Sequence, residues 1–167
     1  MNDVLTVLPY KYSDQELTLS VLMTPEYINF GGRAHGGFLL RLLDEAAYIC
    51  AAKYCGGYAI TGAVQQANFL SPTLIGDLVH IYASVDCTGR SSMDLSLSVV
   101  AEDVRKCSLR YVHSCFITMV AVDEAYKTIA VRAYVPETPP EEIRFSEAKI
   151  RRELRQEYED RCRQLVS

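Results

Sequence analysis

Asp44 is the residue of this sequence whose position most suggests chemistry. It stands inside FLLRLLDEAAYICAAKY, residues 38–54, a segment without Gly or Pro and apolar around most of its circumference. This pattern predicts a buried helix that the CGG at 55–57 ends. A carboxylate there is costly unless something pairs with it, and Asp is a poor helix-interior residue. The plain alternative is that Asp44 and Glu45 lie on the one exposed edge of the helix.

A glycine pair, Gly36-Gly37, comes just before the predicted helix. Backbone N–H groups at such a helix start favour negative charge and can act as an oxyanion hole for a substrate carbonyl. Asp44 follows Gly37 by seven residues, or two helical turns, so it can lie on the face that continues from these amides. The alternative for the glycines is a plain tight loop.

The elements that must position these residues can be read from hydrophobic periodicity. Residues 16–24 alternate apolar and polar side chains, as a half-buried strand does. Segments rich in Val, Ile, Thr, Tyr and Phe, separated by turn signals, predict four further strands: 58–70, 77–87, 91–103 and 109–122. The order of strand, buried helix and four strands predicts an α+β fold in which a curved antiparallel sheet wraps around one long central helix.

The C-terminal part of the chain has a different composition. Pro136, Pro139 and Pro140 end the β region, and residues 141–165 are dense in charged residues with only a thin apolar stripe. We therefore divide the chain into a domain over residues 1–135 and a charged helical extension over 136–167. The pattern predicts a solvated helix that docks weakly or on a neighbouring subunit.

Composition excludes several function classes. A formal net charge of −4 argues against a general nucleic-acid binder. No apolar run is long enough for a membrane span, and the N-terminal residues lack the layout of a signal peptide, so we expect a cytoplasmic protein without membrane contact. The six cysteines lack familiar metal spacing, and we interpret most of them as small buried hydrophobes.

The three histidines are the alternative catalysts. His35 precedes the glycine pair and can touch a ligand bound there, although a loop residue that packs or orients a neighbour is the plainer interpretation. His80 and His113 fall in predicted strands, where we expect hydrogen-bonded structural histidines. No serine stands in a Gly-x-Ser-x-Gly pattern, so an α/β-hydrolase mechanism has no support.

The stretch from Asn29 to Ala47, NFGGRAHGGFLLRLLDEAA, resembles the signature of the acyl-CoA hydrolase group of hotdog-fold thioesterases. It has an Asn, a Gly three residues later, a Gly-Gly pair, a run of large apolar residues, and then Asp with small residues. Four further stretches resemble the family in the same order: ANFLSP at 67–72, IGDLV at 75–79, GRSSM at 89–93 and FITMVAVD at 116–123. The resemblance covers about residues 17–135.

The resemblance implies a role for each matching residue. Asp44 would be the general base that activates water, or a nucleophile, and both remain open. Asn29 would position the thioester or the water, and the amides of Gly36 and Gly37 would polarise the thioester carbonyl near His35. The turn formed by Gly89, Arg90, Ser91 and Ser92 would lie against coenzyme A, with Arg90 near a phosphate.

The resemblance implies hydrolysis of an acyl-CoA thioester to a carboxylic acid and coenzyme A, with no cofactor and no metal. It also implies a homodimer in which Asn29 faces Asp44 of the partner subunit. A hexamer built as a trimer of such dimers is a further alternative. The rivals are a hotdog dehydratase or hydratase, which typically relies on a His, and a non-catalytic acyl-CoA-binding module. Two departures from the family pattern, Pro25-Glu26-Tyr27 and Gln65-Gln66, bear on acyl specificity or water placement.

Overall fold

The computed structural model describes residues 13–165, so the interpretation of the first twelve residues lies outside the described part. The described residues form five strands and two long helices. They are β1 (Glu16–Leu22), α1 (Gly36–Cys55), β2 (Tyr58–Phe69), β3 (Asp77–Thr88), β4 (Ser92–Asp103), β5 (Ser108–Val122) and α2 (Pro139–Gln164). A single 3₁₀ turn, Pro25–Tyr27, follows β1.

The sheet is antiparallel throughout, with the strand order β1-β3-β4-β5-β2. β1 and β2 are therefore the two edge strands. Along β3, β4 and β5, alternate residues are fully buried against α1, and the rest face the other side of the sheet. The predicted α+β arrangement of a sheet around one helix is confirmed.

Helix α1 is enclosed because its buried face consists of apolar and small side chains. These are Leu39, Leu42, Leu43, Ala46, Ala47, Cys50, Ala51 and Tyr54. Gly56 ends the helix with a φ of 66°, and its N–H donates to the carbonyl of Ala52. The glycine pair, predicted to precede the helix, forms its first two residues, with His35 as the N-cap.

Helix α2 docks on the chain's own sheet, on the side away from α1. Of the two predicted alternatives, the structure shows docking on the chain itself, and Ala148 is the one residue of the helix that is buried. Thr138 begins the helix with a capping box to Glu141, and Pro139 and Pro140 fit its first turn. The apolar stripe that we expected to attach the helix is exposed: Ile143, Ile150, Leu154 and Leu165.

Arginines of α2 attach it to carboxylates of the sheet. Asp86 has a side chain with no exposed surface, and it lies 3.4 Å from both Arg144 Nε and Arg151 Nη2. It also accepts hydrogen bonds from Ser84 and Ser96 at 3.0 Å. Burial raises the pKa of Asp86, while the two serines and the two arginines act in the opposite direction.

A second carboxylate, Asp94, pairs with the next turn of the helix. Arg152 Nε donates to Asp94 Oδ2 at 2.5 Å. Thr118 donates to Asp94 Oδ1 at 2.7 Å and accepts from Arg155 at 3.0 Å. Sequence patterns miss these pairs because the carboxylates occupy ordinary outward strand positions, and their partners lie 50 residues or more along the chain.

We expect Asp86→Ala to lower the free energy of unfolding by about 2 to 3 kcal/mol, since it removes the counter-charge of Arg144 and leaves Arg151 and two serine hydroxyls without an acceptor. Denaturant unfolding measures the change, and hydrogen exchange should show faster exchange in α2. The matched control is Glu157→Ala, which removes an exposed i,i+4 pair with Arg161 on the same helix and should change little. Equal stability of the two variants would contradict this account of docking.

Candidate active site

Asp44 lies on the open side of α1, where the helix meets the edge strand β2. Its side chain is exposed, as are Leu40 and Tyr48 one turn before and after it, whereas the opposite face of the helix is buried. Thr61 donates its hydroxyl hydrogen to Asp44 Oδ1 at 2.5 Å. The carboxylate is thereby held at one oxygen, which leaves Oδ2 to face solvent or a ligand. Asp44 thus lies on an exposed edge of the helix, as the plain alternative predicted. The hydrogen bond from Thr61 in addition fixes the orientation of its carboxylate.

Thr61 is a site residue that the sequence analysis missed. A β-bulge between Thr61 and Ala63 interrupts the pairing of β2 with β5, and such bulges re-aim side chains next to functional sites. From Asp44 the chain follows α1 to Cys55, reverses direction at Gly56 and Gly57, and returns along β2. A helix rises about 1.5 Å per residue and a strand about 3.3 Å, so a few strand residues return the chain to the level of Asp44. The lengths of the helix and the strand were therefore the sequence signal that could have located Thr61 beside Asp44.

The Gly37 amide is already engaged in the structure. Its N–H donates to His35 Nδ1 at 3.0 Å, which caps the first turn of α1. A ligand carbonyl can take this N–H only if the His35 ring turns aside. His35 is exposed, and its own N–H is anchored to the carbonyl of Tyr27 at 2.7 Å, so the ring can rotate without moving the backbone. The Gly36 amide lies in the same turn.

Asn29 forms the start of a tight loop before α1. Its Oδ1 accepts from the amides of Gly31 at 2.8 Å and Arg33 at 3.3 Å. Gly32 has a φ of 73°, a left-handed conformation that favours glycine at this point of the turn. Because Oδ1 is used within the loop, the Nδ2 group of Asn29 is the part of the side chain suited to donate to a ligand.

Within one chain the amide of Gly37 and the carboxylate of Asp44 are not side by side. Seven helical residues separate them, which is about 10 Å along the helix axis. A base and an oxyanion donor must both lie about 3 Å from the reacting group. The structure therefore does not bring the predicted residues of a single chain into one reaction centre.

The turn from Gly89 to Ser92 lies at the same end of the sheet as Thr61. Thr61 pairs with Met119, and Met119 pairs with Met93, which directly follows Ser92. Two strand spacings, about 10 Å, thus separate Thr61 from the turn. Within the turn, the Gly89 amide donates to the Ser92 carbonyl at 2.8 Å, while the side chain of Arg90 is exposed.

Helix α2 reaches this turn through Arg152, which donates to Ser92 Oγ at 2.9 Å. A Cβ at Gly89 would lie 2.7 Å from Ser92 Oγ and 2.9 Å from Arg152 Nη1, so a larger residue at this position would displace these two side chains. The Ser92 hydroxyl, predicted to touch a ligand, is therefore occupied by the chain's own helix. Ser91 is half-buried, and its carbonyl accepts from Ala121 at 2.9 Å.

The two departures from the family pattern have structural explanations. Tyr27 stacks on Phe38 with ring centroids 3.7 Å apart, which fixes the 3₁₀ turn to the start of α1. Gln65 donates to Thr118 at 2.6 Å, so it belongs to the hydrogen bonds under α2 and not to the surroundings of Asp44.

The remaining candidates lie away from Asp44. His80 and His113 are hydrogen-bonded strand histidines, as predicted: His113 contacts Thr73 at 3.1 Å, and burial lowers its pKa. Three cysteines are buried, namely Cys50, Cys87 and Cys115. Burial raises the pKa of Cys50 to about 12 and that of Cys115 to about 11, so both remain protonated thiols. Cys107 is exposed, so the interpretation of most cysteines as small buried hydrophobes does not apply to it.

Among residues 13–165, no group of three or more His, Cys, Asp or Glu side chains is arranged to hold a metal ion. No helix in this range is both long and apolar enough to cross a membrane.

Comparison with known proteins adds the family. The model of the thioesterase superfamily matches residues 31–108. Protein VdlD of Helicobacter pylori is 35% identical over 140 residues, which cover 84% of this chain and 80% of VdlD. The range matched by the family model, residues 31–108, contains Asp44, Thr61 and the Gly89–Ser92 turn.

Two solved structures share the fold and most of the chain. An apo hexameric acyl-CoA thioesterase is 29% identical with a TM-score of 0.83, covering 86% of this chain and 92% of that one. An acyl-CoA hydrolase of Staphylococcus aureus in complex with butyryl coenzyme A and coenzyme A is 26% identical with a TM-score of 0.82, covering 90% and 92%. Solved variants of the S. aureus protein replace one aspartate, one asparagine and one threonine by alanine.

Proposed function

Because this chain belongs to the thioesterase superfamily, we propose that it hydrolyses acyl-CoA thioesters to a carboxylic acid and coenzyme A at a site built around Asp44. The observation that carries the proposal is the hydrogen bond from Thr61 to Asp44 on the open side of the buried helix. The likeness to an acyl-CoA hydrolase that binds butyryl coenzyme A supports the substrate class.

The spacing of the altered residues in the S. aureus protein supports the assignment of roles. Its aspartate stands 15 residues after the asparagine and 17 before the threonine. Asp44 stands 15 residues after Asn29 and 17 before Thr61 in this chain. The three side chains are therefore our candidates for the reaction centre.

In the proposed reaction, Thr61 holds one carboxylate oxygen of Asp44 so that the other faces the thioester carbon. As a general base, Asp44 takes a proton from water while the water oxygen forms the new C–O bond. The C–S bond then breaks, and the thiolate of coenzyme A takes up a proton. As a nucleophile, Asp44 would form an acyl anhydride that water hydrolyses. Both routes develop negative charge on the carbonyl oxygen, and the Gly37 amide is our candidate donor to it.

We further propose a homodimer with shared sites, in which Asn29 and Gly37 of one subunit face Asp44 and Thr61 of its partner. The separation of about 10 Å along α1 between Gly37 and Asp44 supports this division. The open edge of β2 and the exposed side of α1 offer a surface on which a second copy can extend the sheet. The hexameric relative supports a larger assembly of such dimers.

Substitutions at Asp44 and Thr61 test the reaction centre. We expect Asp44→Asn to lower kcat about 100- to 10,000-fold, since the amide keeps the size but loses the basicity. Thr61→Val, which removes the hydroxyl without changing the shape, should cost about tenfold or more, whereas the matched control Thr61→Ser should stay near wild type. Thiol release from a panel of acyl-CoA esters measures turnover. It also separates hydrolysis from a dehydratase or a binding module, neither of which releases thiol. Near-normal turnover in Asp44→Asn would refute the assignment.

Arg90 tests the binding of the coenzyme A phosphates at the Gly89–Ser92 turn. We expect Arg90→Ala to raise KM more than it lowers kcat, because a phosphate contact stabilises ground and transition states alike. The effect should shrink as salt screens the charges. Arg105→Ala, which removes an exposed arginine from the turn after β4, is the control. An unchanged KM for Arg90→Ala at low salt places coenzyme A elsewhere.

Mixing inactive variants tests the shared site. When Asn29→Ala and Asp44→Ala subunits exchange at random, mixed dimers hold one site with both residues intact. Activity should therefore recover to about a quarter of wild type. Thr61→Val mixed with Asp44→Ala is the matched control: these residues touch within one chain, so no exchange can restore their pair. No recovery for the first mixture, despite verified exchange, would place Asn29 and Asp44 of the same chain in one site.

A further inference from the structure

A second set of chemically competent side chains lies on the outer face of the sheet, away from Asp44. Ser20 on β1 and His80 on β3 are directly paired in the strand register. The Ser20 hydroxyl lies 2.8 Å from His80 Nδ1, and Glu102 Oε2 on β4 lies 2.9 Å from His80 Nε2. A hydroxyl, an imidazole and a carboxylate thus form one continuous chain of hydrogen bonds across three strands.

The carboxylate determines the direction of these hydrogen bonds. An ionised Glu102 can only accept, so His80 carries its proton on Nε2 and donates it to Glu102. When the ring is neutral, its Nδ1 is then the acceptor and the Ser20 hydroxyl is the donor. This is the arrangement in which a base is ready to remove the proton of a serine nucleophile while a carboxylate stabilises the resulting imidazolium.

The nucleophile is accessible and has a free amide beside it. Ser20 is exposed, whereas His80 and Glu102 have side chains 18% and 32% exposed. The amide of Met23 donates to the carbonyl of Asp77, and Gln15 accepts from Val85. Hydrogen bonding alternates along an antiparallel pair, so the odd-numbered residues of β1 face β3. The N–H of Ser20 therefore points to the open edge of the sheet, where it can donate to an oxyanion at its own side chain.

A groove with a volume of about 220 Å³ lies farther along the same face of the sheet. Its lining begins at Thr18 and Tyr82, two residues along from Ser20 and His80, and does not include the three hydrogen-bonded side chains themselves. Hydroxyl groups of Ser84, Ser96 and Ser98 line it further in, with Glu16 and Arg144. Its small size and its hydroxyl lining fit a short polar acyl group better than a long hydrocarbon chain.

We propose that Ser20, His80 and Glu102 form a second site, which hydrolyses small polar carboxylic esters independently of the thioesterase site. Ser20 Oγ forms a bond to the ester carbon, its proton passes to His80 Nδ1, and the C–O bond to the alcohol breaks as the alcohol takes that proton. Water then cleaves the acyl-serine by the same route. His80 is the base, and Glu102 is a positioning residue that acts through it.

Labelling with an alkyl fluorophosphonate tests the nucleophile. The probe forms a P–O bond to an activated serine and loses fluoride, and mass spectrometry identifies the modified residue. We expect Ser20 to be modified at least about tenfold faster than Ser108, an exposed serine at the start of β5. In His80→Gln the Ser20 rate should fall to that of Ser108. In Glu102→Gln it should fall part of the way, with Ser108 unaffected.

If the labelling rate of Ser20 is less than about tenfold above that of Ser108, the proposal is overturned. This comparison uses the native protein, so it holds even if a variant fails to fold. So does a Ser20 rate that His80→Gln leaves unchanged. The catalytic step is tested in Asp44→Asn protein with p-nitrophenyl acetate. We expect turnover that the added Ser20→Ala substitution reduces at least about tenfold; turnover independent of Ser20 excludes the second site.

Discussion

The enclosure of α1 by the curved sheet is the constraint from which the candidate active site follows. Every side of the helix that meets β3, β4 and β5 must be apolar or small, and Ala46, Ala47 and Cys50 have no exposed surface at all. A charged side chain can stand only on the sides that stay open beside the edge strands, where Lys53 lies near β1 and Asp44 lies near β2. On the β2 side, Asp44 keeps access to water and meets the one strand that supplies Thr61.

The opposite side of the same sheet is built by a different kind of interaction. Against α1 the contacts are apolar, whereas under α2 they are pairs between arginines and buried carboxylates such as Asp86 and Asp94. Charged pairs of this kind depend on geometry more than apolar contacts do, because an unpaired buried charge is expensive. Arg152 extends this layer to Ser92. Arg152 therefore connects α2 directly to the turn that we propose for coenzyme A.

The sequence predicted what local patterns encode. Alternating and continuous apolar segments located the strands and α1, and a carboxylate inside an apolar helix located Asp44. Together with the resemblance, they predicted the hotdog fold and the thioesterase family, which the match to the superfamily confirms. Thr61 was missed because threonine is an ordinary strand residue, and only the return of β2 beside α1 gives it a role. The arginine–carboxylate pairs under α2 were missed because the partners are distant in sequence. The ligand-binding roles and the cytoplasmic location remain predictions.

The hydrogen bond between His35 and Gly37 gives the amide that we propose as oxyanion donor a partner within the chain. An amide without an acceptor at the start of a helix weakens that helix, so the donor needs a partner when no substrate is present. His35 Nδ1 is that partner at 3.0 Å. In the proposed site, a thioester carbonyl replaces one acceptor by another, which changes the number of hydrogen bonds little. The donor is thus oriented before the substrate arrives, and the negative charge that develops in the transition state strengthens its bond.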